Sequence, residues 1–449
     1  MNLKGFCRIW ANRGRRWVLW VVLALAALFV VVSGTERVLR GSSEFMGFRR
    51  IVQVSLIDDD NHYERIGHLR AYPPVFPIFW GTFGFFPVGA VPDPDHPLVG
   101  TTLSQQIQLG VSAAVLLLIM TTTTALVVFS VMHTVYSRRQ GESASCAPVL
   151  LWILSGGLML NGIVRCETDI FIVGMVVAAM HLMLVGDRQW AGGALLGVAA
   201  ALKLTPGLFG VYLLCRRKYR AVGGMIIAGL VCTAVVPTLV WGLEGSVDRH
   251  RSWVIRVLIP YAREGPESFI SRPYRRANQS PKAALVRYLT HYNAGKSGRP
   301  RYVNVADLPM ATVRKIAMAL KLIILGLLVV AWALPPRATT RELEIFLFAL
   351  VPLGMLLLSD VSHGSHLSLL VVPFSALVAF CFRRPGQVLA GRVSWATLAG
   401  FLLVHLIAVR QLKEMSVATA GLLTLYGLLL YLSFRLYADA RQRAEPKPA

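Results

Sequence analysis

A chain of 449 residues that is 55% hydrophobic and only 15% charged has too few charges for a soluble globular protein of its length. Its net charge of +23, from 46 basic against 23 acidic residues, first suggests a nucleic-acid binder, but the basic residues form short clusters between apolar runs, which points to topology signals and phospholipid contacts instead. The six cysteines (Cys7, Cys146, Cys166, Cys215, Cys232, Cys381) show no metal-ligand spacing and fall mostly in apolar runs or on basic flanks, which argues against a disulfide framework.

The elements follow from hydropathy and from the side of each Lys/Arg cluster. Lys4, Arg8, Arg13, Arg15 and Arg16 precede an apolar stretch, Trp17 to Val32. It is long and lacks a cleavage site, so it reads as a retained first span with the N-terminus inside. A polar segment, Gly34 to Arg70, lies outside. Tyr72 to Pro92 is aromatic and proline-rich and reads as a pair of short interfacial helices. Ile107 to Met132 returns to Arg138-Arg139. Two spans follow, about Pro148 to Val164 and Ile170 to Val185. The next two segments, Trp190 to Leu202 and Pro206 to Cys215, are short and interrupted by Lys203-Leu204-Thr205-Pro206, and Arg216-Arg217-Lys218 holds their far end inside. A re-entrant hairpin here leaves the later sides unchanged.

Ala221 to Leu243 leads out to the longest loop, Glu244 to Met310, whose 12 basic and 5 acidic residues make it unusually positive for an outer loop. Ala311 to Leu334, Phe346 to Leu358, Leu367 to Phe382, Ala396 to Val409 and Val417 to Phe434 complete the chain. The expected architecture is an all-α polytopic membrane protein. It is one integral membrane domain over 1–449, with about twelve spans. Residues 34–92 and 244–310 are its main non-cytoplasmic loops. The basic closure of every short loop implies a multi-pass protein of the cytoplasmic (inner) membrane with both termini cytoplasmic.

With those sides assigned, the polar clusters gather on the outer face: Glu44, Asp58-Asp59-Asp60, Arg165-Cys166-Glu167, Lys203, Asn278-Gln279-Ser280, and His363 with His366. Ionisable groups at membrane depth mark a site by default. Lys203 stands at a helix break, and a break at that depth is tolerated only against protein or a cavity. It needs an anion, and the choice lies between a phosphate and snorkelling to the interface. Arg165 and Asp169 are four apart, a spacing that lets them share a helical face. His363 and His366 are three apart and suit proton relay or a phosphate contact, or plain capping. No third and fourth metal ligands are visible beside them. The Asp58-Asp59-Asp60 run reads more readily as a solvated loop than as a cation site. Asn278-Gln279-Ser280 matches a glycosylation acceptor, and with Arg275, Arg276 and Arg287 it reads better as a basic, amide-rich headgroup loop.

The order of these elements resembles glycosyltransferase family 87, of the GT-C superfamily, whose members include polyprenol-phosphate-mannose-dependent α-mannosyltransferases. The resemblance runs from about Ser43 to Phe374. Glu44 with Gly47-Phe48 stands where the family has an acidic residue soon after span one. Tyr63 and Tyr72-Pro73-Pro74 match the family's tyrosine and Tyr-Pro-Pro. Cys166-Glu167-Thr168-Asp169 weakly matches Gly-Gln-x-Asn. Ala200-Ala201-Leu202-Lys203-Leu204-Thr205-Pro206 closely matches AALKxTP. Asn278-Gln279-Ser280 with Arg287, and Ser359, Ser362 and His366, match two later elements. The chain departs in having Glu44 in place of the family's Asp, and Ser365 in place of the first His of a His-His pair.

The resemblance implies a GT-C type helical bundle with its active site built from the non-cytoplasmic loops. It implies transfer of a hexose, mannose by family habit, from a polyprenyl-phosphate sugar to a lipid or glycan acceptor, with inversion. Glu44 is the expected base (Asp58, Asp59 or Asp60 the alternatives), and His366 is the second catalytic residue. Tyr72, Arg165, Glu167, Lys203, Asn278, Gln279, Ser280, Arg287 and His363 are expected around the substrate. No cofactor is required, although a divalent metal is compatible with the scheme. The expected partners are the donor, the acceptor and membrane lipids, and no nucleic acid. A lipid-linked-sugar transporter or flippase, and a degenerate lipid-binding family member, are the competing readings.

Overall fold

The computed structural model describes residues 28, 31–32, 34–36, 38, 48, 51–57, 60–61, 63, 72–83, 102, 104, 107, 111, 113–124, 147–268, 270–271, 273–295, 300–335, 340–383 and 415–444. Among them there are helices and no strands. Glu44, Asp58 and Asp59 lie outside the described residues, as do most of the expected first span and Ala396 to Val409.

Helix α1 (Val75–Phe83) is the described part of the Tyr72 to Pro92 segment. α2 (Ala147–Val164) and α3 (Asp169–Leu184) follow within one or two residues of the expected spans. α4 (Gln189–Leu202) ends at Lys203, whose backbone is extended. A single 3-10 turn, Thr205–Gly207, then opens α5 (Leu208–Cys215). The expected break at Lys203 is therefore present, with the hairpin of α4 and α5 turning at that residue.

Next comes one long helical run, Tyr219–Ser268. It comprises α6 (Tyr219–Leu230), a π turn at Val231–Val235, α7 (Val236–Trp253), a second π turn at Val254–Leu258 and α8 (Ile259–Glu264). Gly242 breaks it, with φ 70 and ψ 173. A side chain is strained in that conformation, so glycine is required there. The region from Glu244, expected as loop, thus begins as helix. The reason is visible in the sequence after Gly242: apolar Leu243, Val247, Val254 and Ile255 recur at helical spacing among charged residues, a pattern that suits a membrane surface and that hydropathy averages away.

α9 (Pro281–Leu289) lies within the rest of that loop, α10 is Met310–Trp332, and α11 is Arg341–Leu358. A 3-10 turn at His366–Leu370 leads into α12 (Val371–Arg383), and α13 is Val417–Ala444. Three described helical runs are long and apolar enough to cross a membrane: Tyr219–Ser268, Met310–Trp332 and Val417–Arg443. α3, α4 and the His366–Cys381 stretch are apolar but shorter. The chain is a helical membrane protein by these features, and the number twelve stays an expectation.

The core is a contiguous apolar mass built from α2, α3, α4, α11, α12 and α13. α4 and α6 meet backbone to backbone. A Cβ on Gly193 would lie 1.9 Å from the Ala221 carbonyl oxygen, and one on Gly197 would lie 2.3 Å from that of Met225. Gly193 and Gly197 are four apart, the spacing by which membrane helices approach closely without an apolar driving force.

α11 carries a polar anchor at each end. At its first turn Glu344 accepts from Arg216, lies 3.2 Å from Lys218 and takes the Tyr212 hydroxyl at 3.1 Å. At its other end Asp360 meets Lys321 and Lys282. Sixteen residues of helical rise separate these anchors by roughly 24 Å, a little less than a bilayer's hydrocarbon core.

Candidate functional site

Four separate stretches of chain converge at the Asp360 end of the bundle. α2 ends at Val164, and Cys166 takes a positive φ of 55 that turns the chain sharply before α3 begins at Asp169. That turn separates Arg165 from Asp169, so the four-residue spacing does not pair them. Arg165 Nε instead reaches Glu167 Oε1 at 3.0 Å. Asp169 is met by Lys203 Nζ at 2.7 Å from the α4–α5 break, and His366 Nε2 lies 3.5 Å from its second oxygen. The Ser365 hydroxyl donates to Glu167 Oε2. Two carboxylates, two cations, a serine and a histidine from four stretches therefore form one crevice.

Burial grades the members. The Asp169 side chain is 4% exposed, Glu167 13%, His366 18%, Lys203 20% and Arg165 40%. Asp169 forms the floor, and the others line an opening that a ligand can reach. Burial and then the neighbouring Asp169 charge push the Glu167 carboxyl up to about 7, against the opposing pull of Arg165, Ser365 and Lys203. Glu167, Asp169 and His366 offer ligand-type atoms within 4.8 Å of one another. The cation on Asp169 is nonetheless the chain's own Lys203, so electrostatic balance here does not call for a metal.

His363 and His366 are ring neighbours, 5.7 Å between centroids. The His363 backbone N–H donates to His366 Nδ1 at 3.3 Å, and His363 Nδ1 lies 3.2 Å from the Ala277 carbonyl. Burial first, then Arg165, Arg275 and Lys203, depress the His363 pKa, so it stays neutral at pH 7.

Asn278-Gln279-Ser280 and Arg287 form the wall behind this crevice. The fully buried Asn278 amide donates to the Pro273 and Asp360 carbonyls and accepts from the Ser280 and Ser362 N–H groups. Gln279 N–H donates to the Ser362 carbonyl at 2.7 Å. Ser280 donates to the Asp360 carbonyl and caps α9 at Ala283. Arg287, with no exposed surface, donates to the carbonyls of Tyr274, Arg275 and Asn278 and to the Ser416 hydroxyl. The expectation of headgroup contacts from Asn278, Ser280 and Arg287 meets side chains committed to the chain itself.

Tyr72 stacks on Phe76 with centroids 3.9 Å apart, and its carbonyl accepts the Tyr63 hydroxyl. Trp80 of the same aromatic helix meets Phe171 edge-on, so α1 braces α3 just below Asp169. Asp60, the described member of the acidic triplet, caps the Asn61 N–H at 2.7 Å.

The family model for glycosyltransferase family 87 matches residues 71–360, which is more than half of the chain and includes Arg165, Glu167, Asp169 and Lys203. The chain belongs to glycosyltransferase family 87. No curated protein and no solved structure matches it. The family-87 match begins after Glu44 and ends before His363, Ser365 and His366, so those residues join the crevice by geometry alone. Two contributors carried little signal in the sequence. Asp169 looked like a helix-boundary charge and Ser365 like a lost histidine. Only the fold brings Lys203, 34 residues away, to one and Glu167, 198 residues away, to the other.

Proposed function

We propose that this family-87 glycosyltransferase moves a hexose, mannose by the resemblance, from a polyprenyl-phosphate donor to a lipid or glycan acceptor hydroxyl at the non-cytoplasmic face. The observation that carries this reading is the Lys203–Asp169 pair at a helix break, open to a crevice that also holds Arg165 and His366. A sugar phosphodiester has its leaving group already activated as a phosphate, so its departure calls for charge neutralisation more than for protonation. Lys203 and Arg165 supply that charge, and Asp169 holds Lys203 in place. The acceptor hydroxyl loses its proton to a carboxylate, assigned to Glu44, as its oxygen attacks the anomeric carbon from the face opposite the phosphate. The C–O bond to phosphate breaks in the same step and the anomeric centre inverts. His366 orients the phosphate or the base. Asn278, Gln279, Ser280 and Arg287 hold the outer loop against the crevice, and the lipid tail lies along the apolar helices near α1. The remaining spans, to about twelve, and cytoplasmic termini complete this picture.

The test is sugar transfer by purified protein in detergent, offered radiolabelled polyprenyl-phosphate sugars and a membrane lipid extract. Wild type, Glu44→Gln and Lys203→Met run side by side. Transfer by wild type, abolished in Glu44→Gln, is the expected result. Full transfer by Glu44→Gln would remove that residue from the base role. Donor binding without transfer by wild type would favour a lipid-linked-sugar carrier or a degenerate binder.

A further inference from the structure

The crevice has a charge problem if it is to receive a phosphate. Arg165 and Lys203 bring two positive charges, and Glu167 and Asp169 bring two negative ones. Asp169 is buried beneath Lys203 and cannot be relieved. Glu167 is the more exposed carboxylate, and a phosphodiester anion contacting Lys203 and Arg165 would lie against it. An ionised Glu167 would repel that anion, and the two like charges would sit in a partly buried space where screening is weak. A protonated Glu167 reverses the contact. Its O–H becomes a hydrogen-bond donor, and the crevice gains a net positive charge.

We propose that the phosphate of the donor lipid enters this crevice together with one proton, held on Glu167, whose carboxylic acid then donates a hydrogen bond to a phosphate oxygen. The step is an addition without bond exchange: one proton from solvent joins the Glu167 carboxylate, and the diester keeps its single negative charge. This rests on the proposed phosphate site.

The surroundings of Glu167 favour it as the proton acceptor. Asp169 faces it from α3, Arg165 lies on its own connection, Lys203 comes from the α4–α5 break, and His366 with His363 lies beyond Ser365. Burial and Asp169 bring its titration to about 7, within reach of neutral pH. The Ser365 hydroxyl serves either state, donating to the carboxylate or accepting from the acid. Glu167 is thereby a group that touches the substrate and sets its affinity.

The experiment is titration calorimetry of the whole protein with polyprenyl-phosphate mannose, no acceptor present. A diester has no group of its own titrating near neutrality. Measurements at pH 6 and pH 8 in two buffers of different ionisation enthalpy count the protons taken up. The expected uptake is about 0.9 proton per donor at pH 8 and about 0.1 at pH 6 for a midpoint near 7. Affinity should fall about 30-fold from pH 6 to 8.5. Glu167→Gln, which keeps a donor N–H, should bind with no uptake and no pH dependence. Binding by wild type without uptake overturns the proposal and leaves the phosphate site standing. Uptake that persists in Glu167→Gln assigns the proton elsewhere and also overturns it. Absence of binding at pH 6 by both proteins overturns the phosphate site itself, and the proposal with it. The wild-type measurement decides even if the variant folds poorly.

Discussion

Replacing Arg287 with methionine separates a structural cation from a substrate contact. The guanidinium has no exposed surface and donates to three backbone carbonyls at 2.7–3.1 Å and to the Ser416 hydroxyl. Burial lowers its pKa to about 10, so it is charged at neutral pH. Methionine fills most of the volume but leaves those acceptors dry. Breaking a buried network on one side costs about 3–5 kcal/mol. Were the loss confined to local opening of the outer loop, hydrogen exchange over Pro281–Leu289 would speed up by about two to three orders of magnitude. Hydrogen–deuterium exchange by mass spectrometry in detergent reads this directly, with donor binding measured on the same samples. Unchanged exchange across α9 accompanied by a selective loss of donor affinity would refute the structural reasoning and make Arg287 a phosphate ligand.

Lys203→Met should abolish transfer and destabilise the protein, because it strands the buried Asp169 carboxylate. Adding Asp169→Asn should recover the thermal midpoint without recovering transfer, and recovery of both would remove Lys203 from the chemistry. Gly193→Leu should block expression of folded protein, since even its Cβ would overlap the Ala221 carbonyl, while Gly223→Ala, with open space at that position, should be tolerated. Size-exclusion profiles of the two variants test that contrast. The Glu167 carboxyl is raised from its ordinary 4.5 to about 7, so the stability tied to its protonated form is present below pH 4.5 and lost as pH rises through 7. The thermal midpoint of wild type relative to Glu167→Gln should therefore fall between pH 5 and 8, and a constant difference would contradict the assignment. Burial alone would raise Asp360, but Lys321 and Lys282 outweigh it and hold the carboxyl below 3.8, so its contribution is present at neutral pH and vanishes only as pH drops through that lowered value. Asp360→Asn should lose its stability deficit relative to wild type in strong acid.

Much of this architecture was legible because membrane helices are written in apolar runs. The break at Lys203 was visible from Leu204-Thr205-Pro206, since a proline and a lysine interrupt a span for reasons local to the sequence. The end of the run Ala221 to Leu243 was misplaced because the helix continues past Gly242 with mixed polarity. Lys203 was expected to meet an anion, and the structure supplies Asp169 before any substrate arrives. The remainder was hidden because it depends on pairs far apart in the chain. Asn278 and Arg287 looked like headgroup ligands, and residue type alone does not distinguish an amide facing lipid from one clasping Asp360 and Ser362. The Glu167–Ser365 contact joins two positions that each looked like a departure from a pattern.

The clasp also sets an order of events during biogenesis. Arg287 is completed by Ser416, 129 residues later, and the Gln279 carbonyl by Thr419, 140 residues later. A ribosome adding about 5–20 residues per second needs roughly 6 to 26 s to cover the shorter of these distances. Throughout that interval the outer loop is already synthesised while its buried cation lacks a partner supplied by the last helix. The catalytic crevice is therefore assembled late, and a nascent chain released before α13 would carry every residue of the crevice without the fastening that holds its wall in place.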